Sequence, residues 1–421
     1  MLTDLGPKEG PPEPESPMPA PILPSPRSPA SLGSRALFPD LAAQVYLNHA
    51  GLSPAALPVR EAVTAVLDDL SRRGAGAFLD WMEQRERLRG KLAVLVGCHP
   101  ADIALTGGTS RSLTDVATCI DWRAGQRILC FAGEFPANVT PWQQAARTHD
   151  LRVELLPLAG FEDGSGDGLA RVEAALAGGD VALVAVSAVQ FQTGLRMPLA
   201  ALGELCRRHG ALLSVDAIQA VGAVPLDMEA EQFDILATGT HKWLMGLDGF
   251  GFAAIGPRAL SRMEPRVAGW LSHEDPVRFL FEGPGELRYD RPVRRKADFL
   301  EVGAWPTVGF AALEAAVDML QSLGIPVILQ HIQTWHDAIE SPLLELGFES
   351  LRASDPARRS GLLCLRTPPS VHHAVLQAAL DQRGIACANP DGNLRLSPHW
   401  PNARSEVPVV VDAVREIIDE A

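Results

Sequence analysis

The sequence predicts an α/β protein with a mostly parallel sheet sandwiched by helices. From Leu57 onward, short apolar runs alternate with stretches that repeat apolar residues at helical spacing. The runs are nearly continuously apolar, which is typical of strands buried on both faces of a parallel sheet. Polar or glycine-rich turns follow several runs, and ligands of such sheets bind beyond the carboxyl ends of the strands. The fold class therefore also predicts where a site lies.

The elements follow in chain order. The runs that we interpret as strands are residues 101–106, 126–131, 152–156, 181–186, 211–215, 233–237 and 249–255. Helical spacing is seen at residues 111–120 and 199–209, the second ending before Gly210. Near the C-terminus, the turn residues Asn389 to Gly392 precede the alternating segment 393–397, which predicts a hairpin.

Composition and charge exclude several classes of function. A chain of 421 residues is long enough for more than one domain. The net charge of −14 argues against nucleic acid or an anionic membrane as the main partner, and no apolar run reaches membrane length. The 6 cysteines are scattered without metal spacing, which favours a reduced, cytoplasmic protein. His372 and His373 are not spaced as metal ligands either, so no metal site is predicted.

The N-terminus differs in composition from the rest of the chain. Residues 1–35 are rich in proline, serine and glutamate and contain almost nothing that could form a core. Such a segment is expected to be disordered or polyproline-like. It lacks a basic start followed by an apolar stretch, so it does not have the pattern of a secretory signal peptide.

The single lysine in a glycine-rich turn is the main candidate for chemistry. Lys242 lies among small and apolar residues, where partial burial lowers the pKa of the amine and makes it a nucleophile toward an aldehyde. Asp216 ends an apolar run upstream and can hold a cationic ring nitrogen. Both features suit pyridoxal phosphate (PLP), which binds a Schiff-base lysine and an acid. The alternatives are a surface lysine and a strand-end turn cap.

A second turn has the composition of a phosphate-binding loop. Thr106-Gly-Gly-Thr-Ser110 leads directly into a helix, whose free amides and positive end can face a phosphate. Thr109 and Ser110 add hydroxyl donors. Their alternative interpretation is an ordinary helix N-cap.

Several separate motifs resemble the class V aminotransferase family of fold-type I PLP enzymes, which includes cysteine desulfurases, kynureninases and isopenicillin N epimerase-like proteins. The resemblance runs from about Tyr46 to the C-terminus. It is carried by segments 46–51, 105–110, 134–142, 215–219, 241–243 and 394–399.

The resemblance implies roles for further residues in cofactor binding. His241 would be the third phosphate contact, helped by Thr240. Phe135 would stack on the pyridine ring, where desulfurases normally have histidine, and Gln219 would donate to the phenolic oxygen of the cofactor. From the residues alone, Phe135 could equally be core packing and Gln219 a turn residue.

The substrate residues are implied in the same way. Arg395 would grip the α-carboxylate of an amino acid, with Asn48 at the same end of the site, and Trp270 would line the side-chain pocket. An alternating Leu-Arg-Leu segment also fits a solvated edge strand.

The family further implies a homodimer with the site at the interface. Ala304 stands where relatives often place a threonine that reaches the partner's phosphate, which puts that contact in doubt. The expected domains are a tail (1–35), a segment packing with the small domain (36–60), a large PLP-binding domain (61–295) and a C-terminal α+β domain (296–421).

The predicted function is PLP chemistry on an amino acid, by transamination or by C–S or β-elimination. One alternative is a cysteine desulfurase that uses Cys387, although the short hairpin around it does not resemble a mobile desulfurase loop. Another is a catalytically silent PLP-fold binding protein, which the presence of Lys242 and Asp216 disfavours. A Rossmann-type nucleotide site at Gly246 to Gly251 fails because no helix is expected to follow.

Overall fold

The computed structural model describes residues 29–303 and 306–420. The strands are β1 (Val45–Tyr46), β2 (Ile103–Thr106), β3 (Arg127–Phe131), β4 (Arg152–Leu156), β5 (Val181–Ser187), β6 (Leu212–Asp216), β7 (Ile235–Gly239), β8 (Gly251–Ile255), β9 (Glu349–Ser350), β10 (Leu363–Arg366), β11 (Ile385–Ala386) and β12 (Asn393–Leu396). The helices are α1 (Leu57–Arg73), α2 (Phe78–Val96), α3 (Thr109–Cys119), α4 (Thr140–His149), α5 (Asp167–Leu176), α6 (Leu199–Arg208), α7 (Pro257–Leu260), α8 (Arg278–Phe281), α9 (Thr307–Leu323), α10 (Ile325–Glu345), α11 (His373–Gln382) and α12 (Glu406–Asp419).

A seven-stranded sheet forms the centre of the molecule, in the order β2-β8-β7-β6-β5-β3-β4. Strands β3 to β7 pair in parallel, while β8 pairs antiparallel with both β2 and β7. The predicted fold class, a mostly parallel sheet flanked by helices, is thereby confirmed. The antiparallel pairing of β8 with β7 follows from connectivity, because residues 240–250 join the two strands without a crossover helix.

Alternate residues of one strand pack into different cores. In β5, Leu183 and Ala185 belong to one buried cluster, whereas Val184 and Val186 belong to another. Successive side chains of a strand point to opposite faces of the sheet. Both faces are therefore covered, as the continuously apolar runs predicted.

Strand bounds differ from the predicted ones by at most two residues, and the differences have local causes. Strand β2 begins at Ile103 because Pro100–Asp102 form a 3₁₀ turn. Strand β8 begins only at Gly251, since Gly249 adopts a φ of +74°. Helix α3 begins at Thr109, two residues before the predicted start.

The C-terminal part contains a smaller antiparallel sheet in the order β12-β10-β9, packed with α10, α11 and α12. Its core includes Val45 and Leu47 of the N-terminal segment, and β1 pairs in parallel with β11. Phe38 and Ala50 of the same segment pack instead in the core of the large sheet. The segment 36–60 thus touches both parts, and the predicted domain boundaries remain predictions.

The predicted tail, residues 1–35, lies outside the described residues as far as residue 28. Beyond that point, the amide of Gly33 donates to the carbonyl of Trp400 at 2.7 Å, so the last residues of the segment contact the C-terminal part. Among the described helices, none is alone long and apolar enough to cross a membrane. Helices α9 and α10 meet that criterion only as a pair bent by 74°.

Candidate active site

A cavity of about 200 Å³ lies beyond the carboxyl ends of β5 and β6. Five residues that the sequence singled out line it, although they come from separate segments of the chain. They are Phe135, Asp216, Gln219, Lys242 and Arg395. The fold therefore gathers one group of the predicted site residues at the edge of the sheet where ligands of open α/β sheets bind.

Lys242 stands in the turn between β7 and β8 and faces this cavity. Trp243, Leu244 and Met245, which follow it, are fully buried and anchor the turn. Burial lowers the pKa of the Lys242 amine, Asp216 opposes that shift, and Arg395 adds to it. The alternative of a surface lysine is wrong.

Asp216 is the last residue of β6 and is 2% exposed. Its Oδ1 accepts a hydrogen bond of 3.0 Å from the amide of Ile218, so the turn-cap interpretation is right for one oxygen. Its Oδ2 is buried and has no hydrogen-bond partner in the described structure. Burial raises the pKa of Asp216, and the nearby charge of Glu134 raises it further. The free oxygen is suited to a buried donor such as a protonated ring nitrogen.

Gln219 is held by two hydrogen bonds. Its Oε1 accepts from the indole nitrogen of Trp243 at 2.8 Å, and its Nε2 donates to the carbonyl of Ala50 at 3.1 Å. An amide nitrogen carries two protons, so one N–H remains for a ligand in the cavity. Gln219 is therefore more than a turn residue, because it ties the lysine turn to the N-terminal segment.

Phe135 is 47% exposed, which rules out the interpretation as core packing. Its ring centroid lies 5.8 Å from Nζ of Lys242. The ring of Phe191 packs edge-on against it, with centroids 5.4 Å apart and planes at 88°. An exposed flat ring held in this way offers a stacking surface at the cavity.

The carboxylate behind Phe135 is a feature to which the sequence analysis assigned no role. Glu134 is buried and accepts hydrogen bonds from the amide of Ser187 at 2.7 Å, Gln190 at 2.9 Å and Asn138 at 3.1 Å, and also from the Ser187 hydroxyl. Burial raises the pKa of Glu134 and these donors oppose the shift. A glutamate directly before an aromatic residue and a proline was the available signal, but two of its partners, Ser187 and Gln190, lie 53 and 56 positions away.

The phosphate-type turn is shaped by glycines. Gly108 has a φ of +109°, and a side chain at Gly251 would meet its Cα at 2.5 Å, so the two backbones touch. Thr109 begins α3, and its buried Oγ1 has no partner among the described atoms. Ser110 is exposed and lines a separate groove between α3 and α4. The N-cap is Gly108, so neither hydroxyl residue is the N-cap.

His241 and Thr240 do not line the cavity. Nδ1 of His241 lies 3.3 Å from Oδ1 of Asp248, and burial lowers the pKa of the imidazole. The hydroxyl of Thr240 donates to the carbonyl of Leu247 and is used within the loop. Ala304 lies outside the described residues.

Arg395 on β12 is only 6% exposed, so the solvated-strand interpretation is wrong. Its Nη1 donates to the carbonyl of Phe191 at 3.4 Å, its Nε has no partner, and no described carboxylate forms an ion pair with it. Burial lowers the pKa of the guanidinium. Asn48 pairs with Ser397 through a β-bridge, and its buried Oδ1 lacks a partner.

Two further candidates lie away from the cavity lining. Trp270 is 48% exposed, and its ring lies 6.3 Å from that of Phe279. Cys387 is 3% exposed in the C-terminal core, and burial raises the pKa of its thiol to about 12. Such a thiol does not form the thiolate that sulfur transfer requires. Within the described ranges, no group of three His, Cys, Asp or Glu side chains could hold a metal.

A family model described as aminotransferase class V matches residues 45–393, most of the chain.

The chain belongs to the class V aminotransferase family.

Members of this family use PLP, and this protein is a PLP-dependent enzyme. The uncharacterized aminotransferase YcbU of Bacillus subtilis (strain 168) is 27% identical over 383 residues, which cover 90% of this chain and 96% of YcbU. A probable cysteine desulfurase of Methanothermobacter thermautotrophicus is 25% identical over 402 residues, covering 90% of this chain and 96% of that protein. The structure of the cystine C–S lyase C-DES with its product cysteine persulfide has a TM-score of 0.81 and 25% identity, covering 91% and 99% of the two chains.

Features of the structure itself show that the residues of this class V enzyme are suited to hold PLP. Oδ2 of Asp216 and Oγ1 of Thr109 are buried atoms without a hydrogen-bond partner in the described structure, and Lys242 lines the cavity beside Asp216. Buried polar atoms are normally paired, so unpaired ones at a cavity indicate a ligand. The silent-protein and Rossmann alternatives fail, the latter because the glycine-rich segment is a turn between β7 and β8.

Proposed function

We propose that this class V enzyme transaminates an amino acid, with Lys242 taking the proton from the α-carbon of the substrate and then donating it at a different carbon, so that the amino group is transferred. One observation supports this proposal. Of the described side chains that line the cavity, Lys242 and Asp216 can exchange a proton near neutral pH, and since Asp216 is assigned to the ring nitrogen, Lys242 is the carrier left for the α-carbon. The hydroxyl of Ser187 already donates to Glu134, and a guanidinium such as Arg395 does not exchange protons at working pH. A single proton carrier suits the shift of a proton from one carbon atom to another. Inversion of the configuration at the α-carbon would need two carriers.

The other residues bind and orient. Asp216 would accept from the ring nitrogen, Gln219 would donate its second N–H to the phenolic oxygen, and Phe135 would cover the ring. PLP, when bound, supplies an electron sink for the charge that develops at the α-carbon.

The two ends of the site would each hold an anion. Thr109, Ser110 and the free amides at the start of α3 would hold the phosphate, with His241 beside them once it turns from Asp248. At the other end, Arg395 and Asn48 would hold the α-carboxylate.

Sulfur transfer through an enzyme cysteine has less support. Among the described residues that line the cavity there is no cysteine, and five of the six cysteines are buried. Burial raises the pKa of both Cys364 and Cys387 to about 12. The alternative of a desulfurase that uses Cys387 is therefore not proposed.

C–S β-elimination is a second candidate. The likeness to the C–S lyase C-DES extends over 91% of this chain, and elimination needs no enzyme thiol. Lys242 would again take the α-proton, and the substrate would then lose the sulfur substituent of its β-carbon instead of giving up its amino group alone.

We further propose a homodimer in the cytoplasm. The phosphate end is open within one chain, since Ser110 is exposed, and a second copy would cover it. The cysteines are free, which is typical of a reducing compartment.

Adding single amino acids to the purified enzyme, while following its visible absorbance, tests the reaction. Transamination predicts that an amino acid bleaches the band, that a 2-oxo acid restores it, and that the 2-oxo acid of the donor accumulates in the ratio of one per turnover. Elimination predicts release of cysteine persulfide from cystine, or of sulfide from cysteine, with pyruvate and ammonia and without need of an acceptor. If none of the amino acids produced either pattern, both candidate reactions would be wrong.

A further inference from the structure

The charge inventory of the cavity restricts the substrate. The described charged side chains that line it are Asp216, Lys242 and Arg395. The first two serve the cofactor in the proposed function, so Arg395 alone remains for the substrate. One guanidinium pairs with one carboxylate, and every amino acid already has one at its α-carbon.

A second charge on the substrate would have no counter-ion among the described residues that line the cavity in one chain. A charge removed from water without a partner is strongly disfavoured. A second negative charge is disfavoured further by the rim of the cavity. There the carboxylate of Asp391, next to the lining residue Pro390, is held by a 2.8 Å hydrogen bond from Gln192. Glu134, buried behind Phe135, places another carboxyl group nearby.

Phe191 connects the carboxylate-binding residue to the apolar wall. Its carbonyl accepts from Nη1 of Arg395, while its ring packs edge-on against Phe135, whose ring lies 5.8 Å from Nζ of Lys242. An amino acid held at its carboxylate by Arg395, with its α-carbon beside Lys242, therefore has Phe191 as a neighbour. The other apolar lining residues are Val189, Ile218 and Pro390.

We propose that Phe191 forms a wall of the side-chain pocket and that the substrate is a monocarboxylic amino acid with an uncharged, apolar side chain. This inference deepens the proposed function and rests on its assignment of Lys242 and Arg395. Trp270, which the family resemblance suggested for this pocket, has no part in it.

The test uses the holoenzyme with leucine, phenylalanine, methionine, alanine, aspartate, glutamate and lysine. Binding is read from the shift of the visible band, and turnover from formation of the 2-oxo acid. Because of the missing counter-ion, leucine, phenylalanine or methionine is expected to exceed aspartate, glutamate and lysine by at least about 100-fold in kcat/KM. If the kcat/KM for aspartate or glutamate equalled that for the apolar amino acids, the inference would be wrong.

Substitution of Phe191 tests its own role. Phe191→Ala is expected to lower kcat/KM for leucine and phenylalanine relative to alanine by about tenfold, and Phe191→Leu to restore most of that ratio. Phe281→Ala is the control, since this phenylalanine is 57% exposed on α8, outside the cavity lining. An equal loss for all amino acids in Phe191→Ala, with an unchanged ratio in both variants, would show a merely structural residue.

The reaction and the pocket assignment can be contradicted independently of each other. If the apolar amino acids shift the band in the expected order but no 2-oxo acid forms, the reaction is wrong and the pocket assignment stands. If 2-oxo acids form from charged amino acids as readily as from apolar ones, the pocket assignment is wrong and the reaction stands.

Discussion

The two ends of the site are prepared to different degrees. At the chemistry end (Asp216, Gln219 and Lys242), hydrogen bonds within one chain hold Asp216 and Gln219, and the fully buried residues that follow Lys242 anchor its turn. At the phosphate end (Thr109, Ser110 and His241), one hydroxyl is buried without a partner, one is exposed, and the imidazole faces Asp248. The fold itself thus orients the reacting groups, whereas the phosphate end of the proposed site would be completed by what binds there.

A physical reason underlies the contrast. Proton transfer at carbon requires the amine within a fraction of an ångström of its working position, so it must be fixed in advance. A phosphate is bound by many donors at once, including the amides at the start of α3, and tolerates adjustment of each. Substitutions should therefore affect turnover at the first end and cofactor affinity at the second.

The largest expected effect follows from removing the amine. Lys242→Ala should lower turnover by at least about 10³-fold and abolish covalent attachment, because no other described lining residue supplies an amine. Treatment with borohydride followed by denaturation measures attachment, which the wild type should retain. Lys91→Ala is the matched control, since Lys91 pairs with Glu314 and Asp318 away from the cavity. A Lys242→Ala enzyme that keeps the bound cofactor through denaturation would contradict the assignment.

Removing the carboxylate charge comes next. Asp216→Asn keeps an oxygen that can accept from the amide of Ile218, but it removes the charge that would keep a ring nitrogen protonated. We expect kcat to fall by roughly 100-fold, with little change in the thermal midpoint of unfolding. A large fall in the thermal midpoint of unfolding, together with the fall in kcat, would show that the residue acts structurally.

The same variant makes a prediction about pH. Asp216 raises the pKa of Lys242, so its neutralisation should lower that pKa further, and the free amine should become reactive at lower pH. In the apo-protein, the rate of attachment to added PLP rises with pH as the amine loses its proton. The midpoint of that rise is expected to lie at lower pH in Asp216→Asn than in the wild type. A midpoint shifted to higher pH would mean that the two groups are not coupled as the geometry indicates.

The chemistry end could largely be predicted from the sequence, and the reason is local. Asp216 ends an apolar run and Lys242 sits in a glycine-rich turn, so both follow strands whose carboxyl ends share one edge of the sheet. Glu134 and Phe191 received no role, because their contacts reach other segments: Glu134 to Ser187 and Phe191 to Arg395, 204 positions away. Such pairings depend on how strands are ordered, which no single segment reveals.

At the proposed phosphate end, the sequence predicted the turn before α3 but not how far each of its side chains is buried. Thr109 and Ser110 are neighbours, yet one is buried and the other exposed, because α3 starts with the first of them and turns the second outward. His241 adjoins the lysine but pairs with Asp248, a contact that depends on the path of the loop.

That difference gives a smaller, graded prediction. Thr109→Ala should weaken cofactor binding by about tenfold, because a buried hydroxyl donating to a phosphate is a charge-assisted hydrogen bond, and Ser110→Ala should weaken it less within one chain. The dissociation constant comes from reconstitution of the apo-protein with increasing PLP. Thr114→Ala is the control, since its hydroxyl donates to the carbonyl of Ser110 one turn further along α3. Equal effects of the two substitutions would indicate that another chain covers Ser110.

The smallest effect is expected for the buried thiol. Cys387→Ala should leave turnover within about twofold of the wild type, because a thiol with a pKa raised to about 12 cannot act as a thiolate, while loss of its packing should cost about 1 kcal/mol of stability. Both quantities are measured on one preparation, with cysteine, cystine and apolar amino acids as substrates. Sulfide release from cysteine that disappears in Cys387→Ala while 2-oxo acid formation persists would restore the desulfurase alternative. It would also mean that the hairpin around Cys387 opens, because the closed structure keeps this sulfur away from the cavity in the C-terminal core.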